Sequence, residues 1–351
     1  MSSESKKSIW KDLVINIKSI TESTIDGIAF VYEKGDEHKH YIESALNGAM
    51  GDKLEEMKSK RAIRPSFRVK NRDVSIENLD LTETLLKTEG KVIIFIHGLM
   101  ADEVLFEEPT RGKKGYGTLL SEEKNYCVLY VRYNTGRHIS QNGRSISALI
   151  NLLNEKYSKE IKSITIISHS MGGLVTRSSC HYAGIEKHSW IQKVNKIFLI
   201  GVPNDGAFLE KLGHLTTSIL RSIWNFQTKI IANIADERSN GIKDLRWGFL
   251  IDEDWQAPNA NDLVGVKRTE IPPLENVKYY IIVGTLMENE NNVVSQYFGD
   301  GLVGKKSASA ESSSLLNSKG EDFLEYKVFP KINHFSILTD QTIYEYIRDR
   351  V

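Results

Sequence analysis

Ser163-Ile164-Thr165-Ile166-Ile167-Ser168-His169-Ser170-Met171-Gly172-Gly173 is the stretch from which the rest of the chain is read. The β-branched run from Ile164 to Ile167 has the composition of a buried strand. It breaks at Ser168-His169-Ser170-Met171-Gly172, where small residues stand two before and two after Ser170. That spacing predicts a nucleophile elbow, a sharp strand-to-helix turn that lifts one hydroxyl above the end of a sheet. Bulkier flanking side chains would collide in so tight a turn. The usual first glycine is Ser168 here. A Gly- and Ser-containing turn after a strand is common in α/β proteins, so the order of the other parts has to carry the reading.

Working outward, strand-like and helix-like segments alternate from residue 91. Lys91–Ile96 is a β-rich run that ends at His97-Gly98, and Tyr126–Tyr133 is the next. Residues 145–161 place Ile146, Leu149, Ile150, Leu153, Tyr157 and Ile161 on one helical stripe. The elbow strand follows, then a helix from Met171 to about Ala183, and strands at Val194–Val202, Val277–Val283 and Phe323–Phe329. Thr339-Asp340 opens a closing helix that sets Ile343, Ile347 and Val351 on one face. Continuous apolar strands alternating with helices predict an α/β fold, a mostly parallel sheet covered on both faces. Such sheets bind ligands at the carboxyl ends of their strands. His97, Ser170 and Asn204 each follow a strand end.

Two stretches stand outside the alternation. Residues 32–90 read as a charged leader of helix and irregular structure before the sheet. Residues 207–275 read as an insertion after the strand that follows the elbow, with Phe208, Leu209, Leu212, Leu215, Ile219, Leu220, Ile223 and Trp224 at helical spacing. An amphipathic insertion there reads as a lid or an acyl-chain wall, or as an ordinary helical hairpin packed on the body. Residues 305–321, rich in Ser, Lys and Glu, read as a loop. The expected organisation is an N-terminal helix and leader (1–90) packed on one catalytic domain (91–351).

The 351 residues carry 46 Lys plus Arg against 46 Asp plus Glu, for a formal net charge of zero. That balance argues against a nucleic-acid partner, which would need a basic surface. Cys127 and Cys180 read as buried small hydrophobes, and no Cys/His spacing suggests a zinc site. His38 and His40 read as a solvated face; no metal and no cofactor are expected. The polar N-terminus and the lack of a long apolar run predict an intracellular, cytoplasmic protein. Residues 8–32 carry apolar residues at helical spacing, which suits a helix packed on the domain or a peripheral contact with a membrane surface.

A serine hydroxyl needs a base to take its proton and a third group to orient that base. On this fold class the chain order is serine, acid, histidine. Downstream of Ser170, Gly299-Asp300-Gly301 offers the acid and Asn333-His334-Phe335 the base, with Asp205 a rival acid one strand earlier. The His97-Gly98-Leu99-Met100 loop offers one backbone N–H, from Leu99, to a developing oxyanion. The residue after the nucleophile, Met171, offers the second. His97 precedes the serine and reads as a brace of that loop.

With these segments in hand, the chain resembles the serine esterase/lipase branch of the α/β-hydrolase superfamily, and within it the bacterial lipase-like proteins related to glycosylphosphatidylinositol inositol-deacylases. Ile94-Phe95-Ile96-His97-Gly98-Leu99-Met100 is similar to their oxyanion loop, Ser168–Val175 to their elbow, and Leu199–Gly206 to the strand and loop that follow. Ala45–Asp52 and Gly241–Gly248 resemble segments of a bacterial subgroup of such hydrolases. The departures are Ser168 for glycine and Gly304 where proline is frequent. The resemblance implies an α/β-hydrolase fold and a serine carboxylester hydrolase acting on a lipid or other small-molecule acyl ester. An acyltransferase or thioesterase on the same triad, and a non-catalytic binding protein of this fold, are the alternatives.

Overall fold

The computed structural model describes residues 39–70, 72–109, 112–204, 206, 239–258, 268–285, 323–334 and 336–351. Eight strands form one sheet: β1 (Ser66–Val69), β2 (Arg72–Val74), β3 (Lys91–Ile96), β4 (Cys127–Arg132), β5 (Ser163–His169), β6 (Val194–Ile200), β7 (Lys278–Thr285) and β8 (Leu324–Pro330). Their order across the sheet is β2-β1-β4-β3-β5-β6-β7-β8. Strands β3 to β8 are mutually parallel, and only β1 runs antiparallel to its neighbours β2 and β4.

The period-two alternation of side chains divides the core between the two faces. Val92, Ile94 and Ile96 of β3 point to one side with Ile164, Ile166, Ile197, Leu199, Ile281 and Val283. Ile93 and Phe95 point to the other with Ile167, Phe198, Ile200, Tyr280 and Ile282. The first face is covered by α1 (Lys39–Glu56), α5 (Ile139–Lys156), α6 (Met171–Ile185) and α7 (Asn240–Trp247), and the second by α4 (Tyr116–Glu123) and α9 (Gln341–Arg348). Both faces are therefore apolar, which is why the central strands read as unbroken hydrophobic runs. The shorter helices α2 (Thr82–Lys87), α3 (Val104–Glu107) and α8 (Asp252–Gln256) complete the described elements.

The leader departs from its reading as helix and irregular structure. Residues 66–69 and 72–74 are strands that extend the sheet, with Phe67 of β1 fully buried and paired with Val74 of β2 and Val131 of β4. Their alternation is too short, and Arg68, Arg72 and Asp73 too charged, for a local signal. Helix α5 starts six residues before its stripe suggested, at Ile139 rather than 145. The Ile139 N–H donates to the Asp244 Oδ2 at 2.8 Å, so this end is capped by a carboxylate 105 residues downstream. The closing helix begins as read: the Asp340 carboxylate accepts from the N–H groups of Thr342 and Ile343.

Of the insertion, residues 239–258 and 268–275 are described. They dock on the body: Ile242 and Leu245 lie in the main core, Ser239 Oγ donates to Gly48 O at 2.7 Å, and the Gly241 N–H donates to Gly136 O at 3.1 Å. Residues 8–32, Asp205, 207–238, Asp300 and 305–321 lie outside the described residues, and with them the lid and acid readings. Cys127 and Cys180 are free and buried, and burial pushes both thiols up to about 12. Among the described residues no helix is long and apolar enough to cross a membrane.

Candidate active site

Ser170 sits between β5 and α6 with φ 53° and ψ −129°, a left-handed backbone that a non-glycine residue adopts only when its surroundings compel it. The compulsion is visible. Its N–H continues the parallel ladder by donating to Ile200 O of β6 at 2.9 Å, and one residue later the chain is helical. Gly172 permits the turn, because a Cβ there would lie 2.5 Å from Ile96 O and 2.4 Å from His97 O. Ser168, the departure from glycine, is fully buried and donates its hydroxyl to Phe198 O at 3.1 Å. The extra group is thus satisfied by the neighbouring strand.

The loop after β3 closes over this turn. A Cβ on Gly98 would come within 2.9 Å of Ser170 Cβ, so only glycine lets that backbone pass so near. Met100 adopts φ 56°, and its N–H donates to Thr135 Oγ1 at 3.2 Å. Among the described residues, neither the Leu99 nor the Met171 amide meets an acceptor. The Ser170 Oγ is buried and likewise has no hydrogen-bond partner among them. Thr135 was not legible as part of this arrangement, since nothing in its local sequence links it to a loop 35 residues earlier.

His97 braces the same loop. Its Nδ1–H donates to Gly98 O at 3.0 Å, its ring stacks on Tyr133 at 4.5 Å, and the Tyr133 hydroxyl donates to His97 O at 2.7 Å. Burial, the largest cause, holds His97 down to about 4, so the ring is neutral. Beyond the loop, the Arg68 Nε donates to Glu103 Oε1 at 2.6 Å in a buried pair between β1 and the segment before α3. Asp102 accepts from the Val104 N–H at 3.1 Å and from Ser44 Oγ at 3.4 Å. Burial first, then the nearby Glu103 carboxylate, pushes Asp102 up to about 7.

These two buried groups give opposite pH dependences. An acid raised from 3.8 to about 7 supplies stability that is complete below the unfolded value and is lost as pH rises through about 7. An imidazole lowered from 6.5 to about 4 supplies stability that is complete above 6.5 and is lost as pH falls through about 4. Asp102→Asn keeps the acceptor for Val104 and removes the charge. It should therefore shrink the fall in Tm between pH 5 and pH 8, a difference on the order of 3 kcal/mol at the high end. Thermal scans of both proteins at the two pH values check this; parallel curves would refute the assignment.

His334 follows β8 and is buried, with its loop turned back over the sheet: the Ile332 N–H donates to Thr285 O of β7 at 2.9 Å. The structure brings it against the residue preceding Ser170. His169 Nε2 lies 3.2 Å from His334 O, and the two rings are 4.7 Å apart. Burial, then the His334 and His97 imidazoles, hold His169 well below its usual range. Ser170, Leu99, Met171 and His334 therefore share the carboxyl edge of the sheet. Asp300 and its rival Asp205 lie outside the described residues.

A parallel sheet ordered 2-1-4-3-5-6-7-8, with only β1 reversed, and a left-handed serine turn after β5 define an α/β-hydrolase fold. The family described as Domain of unknown function (DUF7379) matches residues 65–242, and the chain belongs to that family. No curated protein matches. Among solved structures, the mature lipase BlEst2 of Bacillus licheniformis is similar at 17% identity and a TM-score of 0.45, over 74% of this chain and 91% of that one. The Pyrococcus furiosus esterase Pf2001 is similar at 14% identity and a TM-score of 0.43, over 75% and 78%. Aspergillus fumigatus lipase B is similar at 11% identity and a TM-score of 0.47, over 80% and 57%.

Proposed function

We propose that the protein is a serine carboxylester hydrolase. The observation that carries this reading is the environment of Ser170: a buried hydroxyl without a hydrogen-bond partner among the described residues, on a strained turn, under a glycine loop beside two amides without acceptors. An unsatisfied hydroxyl and two unsatisfied amides at one strand edge cost stability unless a ligand or transition state completes them. In this reading Ser170 Oγ attacks the ester carbonyl as His334 takes its proton. The N–H groups of Leu99 and Met171 hold the oxyanion, and His334 returns the proton to the leaving alcohol. Water then releases the acid from the acyl-enzyme, with His334 as base again. Asp300 orients the imidazole, with Asp205 the competing candidate. The apolar pattern of residues 207–224 favours a lipid or other acyl ester over a peptide as substrate.

Labelling with a fluorophosphonate probe tests the reading without knowledge of the natural ester. The probe should bond to Ser170, as read by peptide mass spectrometry. Whichever of Asp300→Ala and Asp205→Ala removes the true acid should slow labelling by about 10²–10⁴-fold at unchanged Tm. An unlabelled Ser170 in the wild-type protein would refute the proposal.

A further inference from the structure

Sheet geometry leaves the proposed base with a distance problem. β8 and β5 are separated in the sheet by β6 and β7. Neighbouring strands lie about 4.8 Å apart, so the loop after β8 must travel on the order of 14 Å to reach the serine. Ile332 is already over β7, where its N–H donates to Thr285 O. From there two strand spacings, about 10 Å, remain to β5. Two residues of extended chain span about 7 Å. The His169 side chain, rising from the end of β5, covers the remainder. Its Nε2 reaches His334 O at 3.2 Å, and both residues are buried.

A carbonyl oxygen only accepts, so His169 Nε2 must carry the hydrogen and the ring is in one tautomer. The other nitrogen, Nδ1, has no partner among the described residues and would lie 3.3 Å from a Cβ on Gly98. The ring therefore stands between the elbow, the oxyanion loop and the base. Burial above all keeps it uncharged, and the His334 and His97 imidazoles act in the same direction. A neutral ring at 4.7 Å sets no like charge beside the His334 imidazole, as a cation there would.

We propose that His169 is a positioning residue for His334: its Nε2–H fixes the backbone of the base across the tops of β6 and β7, and its ring limits the rotation of the neighbouring imidazole. The proposal rests on the serine hydrolase reading above. It goes further by giving a task to the residue between the two serines of the elbow, which that reading leaves idle.

His169→Phe keeps a ring without the donor, and His169→Gln keeps a donor without the ring. Saturation kinetics of fluorophosphonate labelling separate reagent binding from reaction. His169→Phe should lower the limiting rate constant by about 10–100-fold, the scale of a misplacement near 1 Å, with apparent affinity changed by less than about twofold. His169→Gln should recover much of the loss. A purely structural role would instead follow Tm and show no rescue by a donor. An independent reading comes from the unmodified protein: nitrogen NMR should show His169 as the Nε2–H tautomer, uncharged from pH 5 to pH 8. Equal labelling rates in wild type and His169→Phe, or a His169 that titrates or takes the Nδ1–H tautomer, would overturn the proposal alone. If Ser170 fails to label in the wild type, the functional reading falls and takes this inference with it, even with the tautomer as expected.

Discussion

Ser170→Ala should lower turnover of a p-nitrophenyl ester by about 10³–10⁶-fold while Tm stays level or rises. The two halves of this expectation have separate causes. Loss of turnover follows from the removal of the proposed nucleophile, with the Leu99 and Met171 amides left as the residual source of rate enhancement in that reading. Retention of the fold follows from what the hydroxyl does not do. Ser170 occupies the N-cap position of α6, yet its side chain makes no capping hydrogen bond. Its Oγ is buried without a partner among the described residues, a state that costs about 1–3 kcal/mol. Alanine removes that cost and tolerates the same backbone no worse than serine. Steady-state kinetics and a thermal scan on one preparation measure both halves. Turnover equal to wild type would end the hydrolase reading, and a large drop in Tm would mean that the hydroxyl has a structural bond.

Gly172→Ala should destabilise the protein by about 3–5 kcal/mol, a drop in Tm on the order of 10 °C. The added methyl would meet backbone oxygens of Ile96 and His97 at 2.5 and 2.4 Å. Neither oxygen is the mobile end of a side chain, so either α6 must lift from the sheet or β3 must shift. Helix α6 provides its own control. A Cβ on Gly184, near the other end of the same helix, meets nothing within 4 Å. Gly184→Ala should therefore gain about 0.5–1 kcal/mol from helix propensity alone. Urea melts of the two variants should shift in opposite directions. If both shift alike, the close packing of α6 on the loop after β3 is wrong. The same displacement would separate Met171 from Leu99, so the Gly172 variant should also lose activity in the fraction that stays folded.

The central strands were legible because each carries its own evidence. Residues 92–96, 164–168 and 197–200 are buried on both faces, so every position there is apolar or small and no partner need be known to read them. The turn at Ser170 was legible for a related reason: its tight geometry excludes side chains at defined spacings. β1 and β2 were not legible. Four and three residues long, half exposed and rich in charge, they owe their strand conformation to pairing with each other and with β4, about 60 residues away in sequence. The start of α5 was misplaced because its cap, Asp244, arrives from the insertion. Asp244 also accepts from His138 Nδ1 at 3.0 Å, and the His138 ring stacks on Trp255 at 3.8 Å. Ala45–Asp52 and Gly241–Gly248, which stand out in the sequence as separate segments, prove to be neighbours. The Asn240 N–H donates to Asp52 Oδ2 at 3.1 Å, and both segments hold the loop at Asn134–Arg137.

By itself the sequence determined a parallel sheet with a serine turn at the end of one strand and a histidine after the last. Periodicity and steric exclusion act over a few residues, and a few residues are enough to record them. Tertiary structure decided the rest: that Gly98 lies against Ser170, that Thr135 claims the Met100 amide and leaves Leu99 open, and that His169 reaches the carbonyl of His334. Each of these is a close approach between residues far apart in the chain or in the sheet. Such contacts come from closing the whole fold, so no local window of sequence can hold them.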